Sequence, residues 1–247
     1  MQDNKQRKVA LVTGASRGIG AAVVQRLARD GFAVVVNYAA SATEAETLVA
    51  HIVAAGGVAM AFKADVASAV AVRQMFDEVE QRLGKIDVLV NNAGIMTVQP
   101  VSQTTDDQFD RMFEINVRGT FNTLREAAAR LNEGGRVINF STTALAMNLP
   151  GYATYNATKA AVESYTRVFA KELRGRNITV NAVAPGPVAT ELFLNGKTPE
   201  QIQHFANMPP LQRLGEPEDI AAVVSMLAGP DAGWVNGQVL RANGGVA

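Results

Sequence analysis

The 247-residue chain contains no cysteine and only two histidines. The first absence excludes disulfide frameworks, thiolate metal sites and thiol nucleophiles. His51 and His204 each stand alone, which argues against a serine–histidine triad or a histidine-rich metal centre, so no metal is expected. An excess of either charge is also missing, because 23 basic and 23 acidic side chains cancel. No basic stripe marks a nucleic-acid partner. No apolar run approaches the roughly 20 residues that a membrane helix needs, and the opening "MQDNKQRK" lacks the apolar core of a signal peptide. The expectation is a cytoplasmic protein without a membrane or nucleic-acid partner. What is present is ordinary globular material, 48% hydrophobic and 19% charged, sufficient to bury a core without covalent staples.

Strand-length apolar runs alternate with helical patterns from end to end. "KVALVT" (8–13), "AVVVNY" (33–38), "VAMAFKA" (58–64), "IDVLVN" (86–91), "RVINFS" (136–141), "ITVNAVA" (178–184) and "QVLRA" (238–242) read as strands. Most are apolar without alternation, as parallel strands covered on both faces must be. Helical periodicity falls near 18–30, 43–55, 68–83, 106–131, 154–174 and 217–228. Ser41 with Glu44, and Thr105 with Gln108, have the capping-box spacing. The alternation predicts an α/β fold: a doubly wound parallel sheet of about seven strands with helices on both faces, in one domain spanning 1–247. Residues 1–7 are expected to be flexible. The proline-rich stretch Pro185 to Gly215 reads as irregular, with 190–214 as a lid over a substrate site.

After the first strand comes "TGASRGIG", Thr13 to Gly20, which opens directly into a helix. Glycines at 14, 18 and 20 permit a tight turn and close approach to a pyrophosphate, while the helix N-terminus offers free N–H groups and partial positive charge. This is a seat for a dinucleotide. On the helix near 154–174, Tyr155 and Lys159 are four residues apart and share a face. A cation beside a phenol is expected to lower its pKa from ~10 by about 1 to 3 units, towards a value useful for proton transfer.

The TGxxxGxG turn followed by YxxxK resembles the short-chain dehydrogenase/reductase family, with a Rossmann-type fold, and the resemblance extends over nearly the whole chain. It implies that Gly14, Ser16, Arg17, Gly18, Ile19 and Gly20 hold the cofactor, with Asp65 and Val66 beside the adenine and Asn92, Ala93 and Gly94 of "NNAG" beside the ribose. "PGPVAT" resembles the nicotinamide loop, which implicates Pro185, Gly186, Val188 and Thr190. The resemblance adds Asn37 and Ser41, after the second strand, to the cofactor-binding candidates, and the region between them carries no acid before Glu44. With Arg17 in the turn, that favours NADP (NADPH) over NAD, since a carboxylate there would repel a 2′-phosphate. The resemblance makes Tyr155 and Lys159 catalytic, Lys159 also holding the nicotinamide ribose. It makes Asn116 the link to a proton-carrying water.

The family's serine, thirteen residues before the tyrosine, is replaced by Thr142, which keeps the hydroxyl and adds a methyl. Ser141 should point to the opposite face. These assignments imply hydride transfer between NADP(H) and a carbonyl or secondary alcohol. The expected substrate is a ketone, aldehyde or 3-oxoacyl compound, similar to those of 3-oxoacyl-thioester and carbonyl reductases. A polyol or secondary-alcohol dehydrogenase and a non-catalytic nucleotide-binding regulator are the alternatives. An apolar pocket is expected from Leu192, Phe193, Leu194, Phe205, Met208 and Leu211 of the lid with Met147, Leu149 and Tyr152. The resemblance also suggests a homotetramer.

Overall fold

A computed structural model describes residues 7–247 of the chain. Residues 1–6 of the segment expected to be flexible lie outside the described residues; Arg7 is exposed and irregular. Strands β1 (Val9–Val12), β2 (Ala33–Tyr38), β3 (Val58–Lys63), β4 (Ile86–Asn91), β5 (Arg136–Phe140), β6 (Thr179–Pro185) and β7 (Val239–Ala242) match the apolar runs to within a residue at either end. They form one sheet in the order β3-β2-β1-β4-β5-β6-β7, with every neighbouring pair parallel.

The uninterrupted apolar character of β1 follows from its place at the centre. Ala10 and Val12 point into one core, Val9 and Leu11 into the other, and all four are buried. Each large side chain so buried contributes about 1.5–3 kcal/mol relative to exposure. Helices α1 (Gly18–Arg29), α2 (Ala42–Ala54), α3 (Ala69–Leu83), α4 (Asp106–Phe113), α5 (Gly119–Arg130), α6 (Ala144–Met147), α7 (Ala153–Glu172), α8 (Glu191–Leu194), α9 (Pro199–Asn207) and α10 (Pro217–Ala228) complete the chain. Apolar stripes of α1, α2 and α10 close the first core; those of α3, α5 and α7 close the second. Chain order reverses between β1 and β4, and the crevice at their carboxyl ends is where open α/β sheets bind ligands. Among the described residues, no helix is long and apolar enough to cross a membrane.

Three local expectations change. The helix expected over 106–131 is divided by a π-turn, Glu114–Arg118, between α4 and α5. Its N-terminus does form the expected capping box, Thr105 with Gln108. Ser41 precedes α2 but its side chain makes no cap bond, because its backbone (φ −84°, ψ 71°) leaves the extended conformation that a cap uses. The stretch expected to be irregular contains α8 and α9, and α9 starts with a Thr198–Gln201 capping box and a proline in its first turn.

Candidate active site

The glycine turn is held by side chains from neighbouring strands. The Thr13 hydroxyl accepts from the N–H groups of Asn92 and Ala93, each at 3.1 Å. Asn92 Nδ2 donates to the carbonyls of Thr13 (2.9 Å) and Gly14 (2.8 Å). Asn37 Oδ1 accepts from the Gly14 N–H at 3.2 Å, while its Nδ2 donates to the carbonyls of Phe62 and Ala64. Gly14 has φ +61°, and a Cβ there would lie 2.8 Å from Ala93 Cα; a Cβ on Gly20 would lie 2.5 Å from the Gly14 carbonyl. Both positions therefore require glycine. Arg17 precedes α1 without a side-chain cap, and the first turn carries no acid. The N–H groups of that turn, together with the helix dipole, suit a pyrophosphate.

One cleft is lined by Gly14, Ser16 to Gly20, Asn37 to Ser41, Asp65, Val66 and Asn92 to Gly94. The structure thus brings the cofactor candidates of the first four strands together, and several of them also make contacts within the protein. The buried Asn37 amide is committed to protein partners and acts as a brace. Asp65 Oδ1 accepts from the Ala67 N–H at 2.9 Å, forming its own turn, and Oδ2 faces Arg111 at 3.4 Å. Arg17 Nη1 pairs with Glu191 at 2.8 Å, joining the turn to α8; both side chains are largely exposed.

Tyr155, Lys159, Thr142, Pro185, Gly186, Val188 and Thr190 line an adjoining cavity that shares Ile19, Asn92, Gly94 and Tyr152 with the cleft. Lys159 Nζ lies 5.8 Å from the centre of the Tyr155 ring and donates to the Phe140 carbonyl at 2.8 Å. Burial pushes the Tyr155 phenol up to about 12, opposed by a hydrogen bond with Thr142 and assisted by nearby Tyr152. Burial likewise pushes Lys159 down to about 8. The phenol pKa therefore moves opposite to the direction expected from its neighbouring cation, because desolvation at this depth disfavours both charged forms. At neutral pH Tyr155 carries its proton and Lys159 its charge.

Thr142 lies just beyond β5. Its Oγ accepts from the Ala144 N–H at 3.2 Å, and its hydroxyl lies on the cavity wall beside the Tyr155 phenol. Ser141 points elsewhere, donating to Glu163 at 2.7 Å. Asn116 occupies the π-turn and is buried. Its Oδ1 accepts from the Ile95 N–H and its Nδ2 donates to the Ile95 carbonyl, both at 2.9 Å, and to Thr158 Oγ at 3.0 Å. Thr158 in turn donates to the Tyr155 carbonyl at 2.7 Å. The Asn116 side chain thus braces the loop after β4 against α7, and its hydrogen bonds go to Ile95 and Thr158 and not to the phenol or the ammonium. The backbone of Val188 is folded into a turn by Thr190, whose Oγ accepts from the Phe193 N–H at 3.4 Å and caps α8.

Sequence reasoning missed several supports. Thr13 is one; Asn243 is another, packed so closely on Gly186 that a Cβ there would be 2.8 Å from its Cα. A buried ladder runs from Thr123 to Asn91 (2.7 Å), Asn91 to Asn139 (2.9 Å) and Asn139 to Thr166 (2.9 Å), tying β4 and β5 to α5 and α7. The signal was an asparagine near the end of each of two apolar strands, a costly placement unless paired. Of the expected pocket residues, Leu192, Phe193, Phe205, Met147, Leu149 and Tyr152 line the cavity, joined by Ile95 and Met96, whereas Leu194, Met208 and Leu211 do not. Phe193 and Phe205 meet edge to face, 5.2 Å apart. Among the described residues, Lys159 is the only charged side chain in the cavity wall.

Comparison with known proteins gives consistent matches along the chain. A family model described as Enoyl-(Acyl carrier protein) reductase matches residues 14–247. A short-chain type dehydrogenase/reductase of Picea abies is 45% identical, covering 96% of this chain and 92% of that protein. The structure of a short-chain dehydrogenase/reductase from Serratia marcescens superposes with a TM-score of 0.93 at 42% identity, covering 98% of each chain. That of a short chain dehydrogenase from Burkholderia cenocepacia in complex with NADP gives 0.91 at 39% identity, covering 98% of this chain and 99% of that one.

Proposed function

The chain belongs to the short-chain dehydrogenase/reductase family, and on that footing we propose that it reduces a ketone, aldehyde or 3-oxoacyl group using NADPH. The observation that carries this reading is the meeting of Tyr155, Thr142 and Lys159 in one apolar cavity that opens into the cleft of the glycine turn. Bound in the cleft, the reduced nicotinamide supplies a hydride to the carbonyl carbon. The remaining work belongs to the chain. Tyr155 holds a proton at neutral pH and delivers it to the carbonyl oxygen, with the Thr142 hydroxyl as second donor. Lys159 is charged below about pH 8 and offsets the negative charge left on the phenol oxygen. Much of the surrounding wall is apolar, so these dipoles act in a lower dielectric than bulk water.

Cofactor choice rests on charge. No acid stands between Asn37 and Ser41, and Arg17 lies on the cleft wall. An exposed ion pair such as Arg17–Glu191 is worth about 0–1 kcal/mol, so Arg17 exchanges Glu191 for a 2′-phosphate at little cost. NADP in the similar Burkholderia cenocepacia structure supports this choice. The apolar wall disfavours a polyol, whose several hydroxyls would lose hydrogen bonds on entering it. A cytoplasmic homotetramer belongs to the same reading and rests on the family resemblance. The test is oxidation of NADPH and NADH over a panel of ketones, aldehydes, oxoacyl thioesters and sugars. Turnover of apolar carbonyls with NADPH preferred is expected. Tight NADPH binding without turnover of any carbonyl would instead indicate a nucleotide-binding regulator.

A further inference from the structure

A second phenol faces the same cavity. Tyr152 is buried, and its ring lies 6.4 Å from that of Tyr155 at an interplanar angle of 69°. It packs in a small cluster with Met112, Ala144 and Tyr155 and contributes to the walls of both the cavity and the cleft. Its backbone is fixed: its N–H donates to the Leu149 carbonyl at 3.2 Å, its carbonyl accepts from the Asn156 N–H at 2.8 Å, and the preceding Gly151 carbonyl accepts from Gln99 at 2.9 Å. Gly151 itself has φ +85°, with Val98 and Gln99 packed against it. The ring is therefore preorganised, and among the described residues its hydroxyl makes no hydrogen bond and is not a buried orphan, so it stands open to the cavity and free to bind. Burial raises its pKa, keeping it a neutral donor. A tyrosine combines an apolar body with a polar tip that seeks a partner, and the neighbouring wall contributed by Ile95, Met96, Met147 and Leu149 offers none.

We infer that the Tyr152 hydroxyl recognises a second oxygen on the substrate, so that the site selects dicarbonyl or hydroxycarbonyl compounds over monoketones of the same skeleton. This rests on the reductase reading given above. Tyr155 and Thr142 take the oxygen that is reduced, and Tyr152 donates to an acceptor on a nearby carbon. A site built to hydrogen-bond a substrate group discriminates against an analogue lacking it, since bound substrate covers the donor and leaves it unpaired.

The test compares wild type with Tyr152→Phe, which keeps the ring and its packing, on benzil and deoxybenzoin, and on benzoylacetone and butyrophenone. Each pair shares a carbon skeleton and differs by one oxygen. For at least one dicarbonyl, kcat/KM should fall about tenfold or more, mostly through KM, and for its monoketone by no more than about threefold. Taking the ratio of variant to wild type removes the intrinsic reactivity of the dicarbonyl. Calorimetric binding of the same pairs to the NADP-loaded protein provides a readout independent of turnover and should show the same selective loss. Equal losses within every pair, or no loss, by both measurements would overturn the inference. Selective loss of binding without turnover would retain it while refuting the reductase reading.

Discussion

Replacing Lys159 by methionine should change how the stability of the ligand-free protein depends on pH. In the folded chain burial brings the ammonium from its ordinary 10.5 down to about 8. Between those values the unfolded chain binds more protons than the folded one, so the lysine destabilises the fold below about pH 8 and this cost disappears as pH rises to 10.5. At ~1.36 kcal/mol per pH unit, the interval is worth roughly 3 kcal/mol. Tyr155 works in the opposite direction: its pKa rises from 10.0 to about 12, so stability declines through that window, but it does so in both proteins. Losing the bond to the Phe140 carbonyl adds an offset of about 1 kcal/mol to the variant. Urea denaturation of both proteins at intervals from about pH 6 to 10.5 isolates the lysine. The free-energy difference, wild type minus variant, should rise with pH by roughly 3 kcal/mol, nearly all of it above pH 8. Parallel curves would show that the ammonium is not desolvated and would remove the electrostatic basis given to the site.

Two substitutions test the neighbouring geometry. Thr142→Val should lower kcat by about 10²–10³-fold, the usual effect of removing one donor to a developing oxyanion, whereas Thr142→Ser should stay within about tenfold of wild type; steady-state kinetics on one ketone decides, and near-equal rates for valine and threonine would discard the donor role. Gly14→Ala places a Cβ at φ +61° and 2.8 Å from Ala93 Cα, so it should cost about 1–3 kcal/mol of stability and weaken NADPH binding at least tenfold. Thermal unfolding and fluorescence titration measure the two effects, and normal binding would mean that the turn does not seat the dinucleotide.

The sheet was legible because its strands are contiguous apolar runs bounded by turn residues, and the glycine turn because positive φ and close approach leave few alternatives to glycine. The Tyr155–Lys159 pair was legible as a spacing. Its electrostatics were not, since the direction of each pKa depends on depth of burial, which belongs to the assembled fold and not to a four-residue interval. The π-turn at Asn116 was hidden because "EINVR" continues the helical pattern on either side without a break. Arg17 and Glu191 are 174 residues apart, so no local pattern could pair them. The bracing of the glycine turn by the Asn37 amide was not legible, because its partners Phe62, Ala64 and Gly14 come together only in the folded sheet. By contrast, "TPEQ" at the start of α9 carries a capping signal equal to that of Thr105, so the expectation of an irregular stretch there passed over a local signal that was present.

The central claim is that the Tyr155 phenol supplies the proton while the cofactor is held by other groups. Turnover and NADPH affinity of Tyr155→Phe, measured side by side, test it most directly. A loss of turnover of at least about 10²-fold, with an NADPH dissociation constant within about threefold of wild type, is the expected result. Substantial turnover by the phenylalanine enzyme would contradict the assignment.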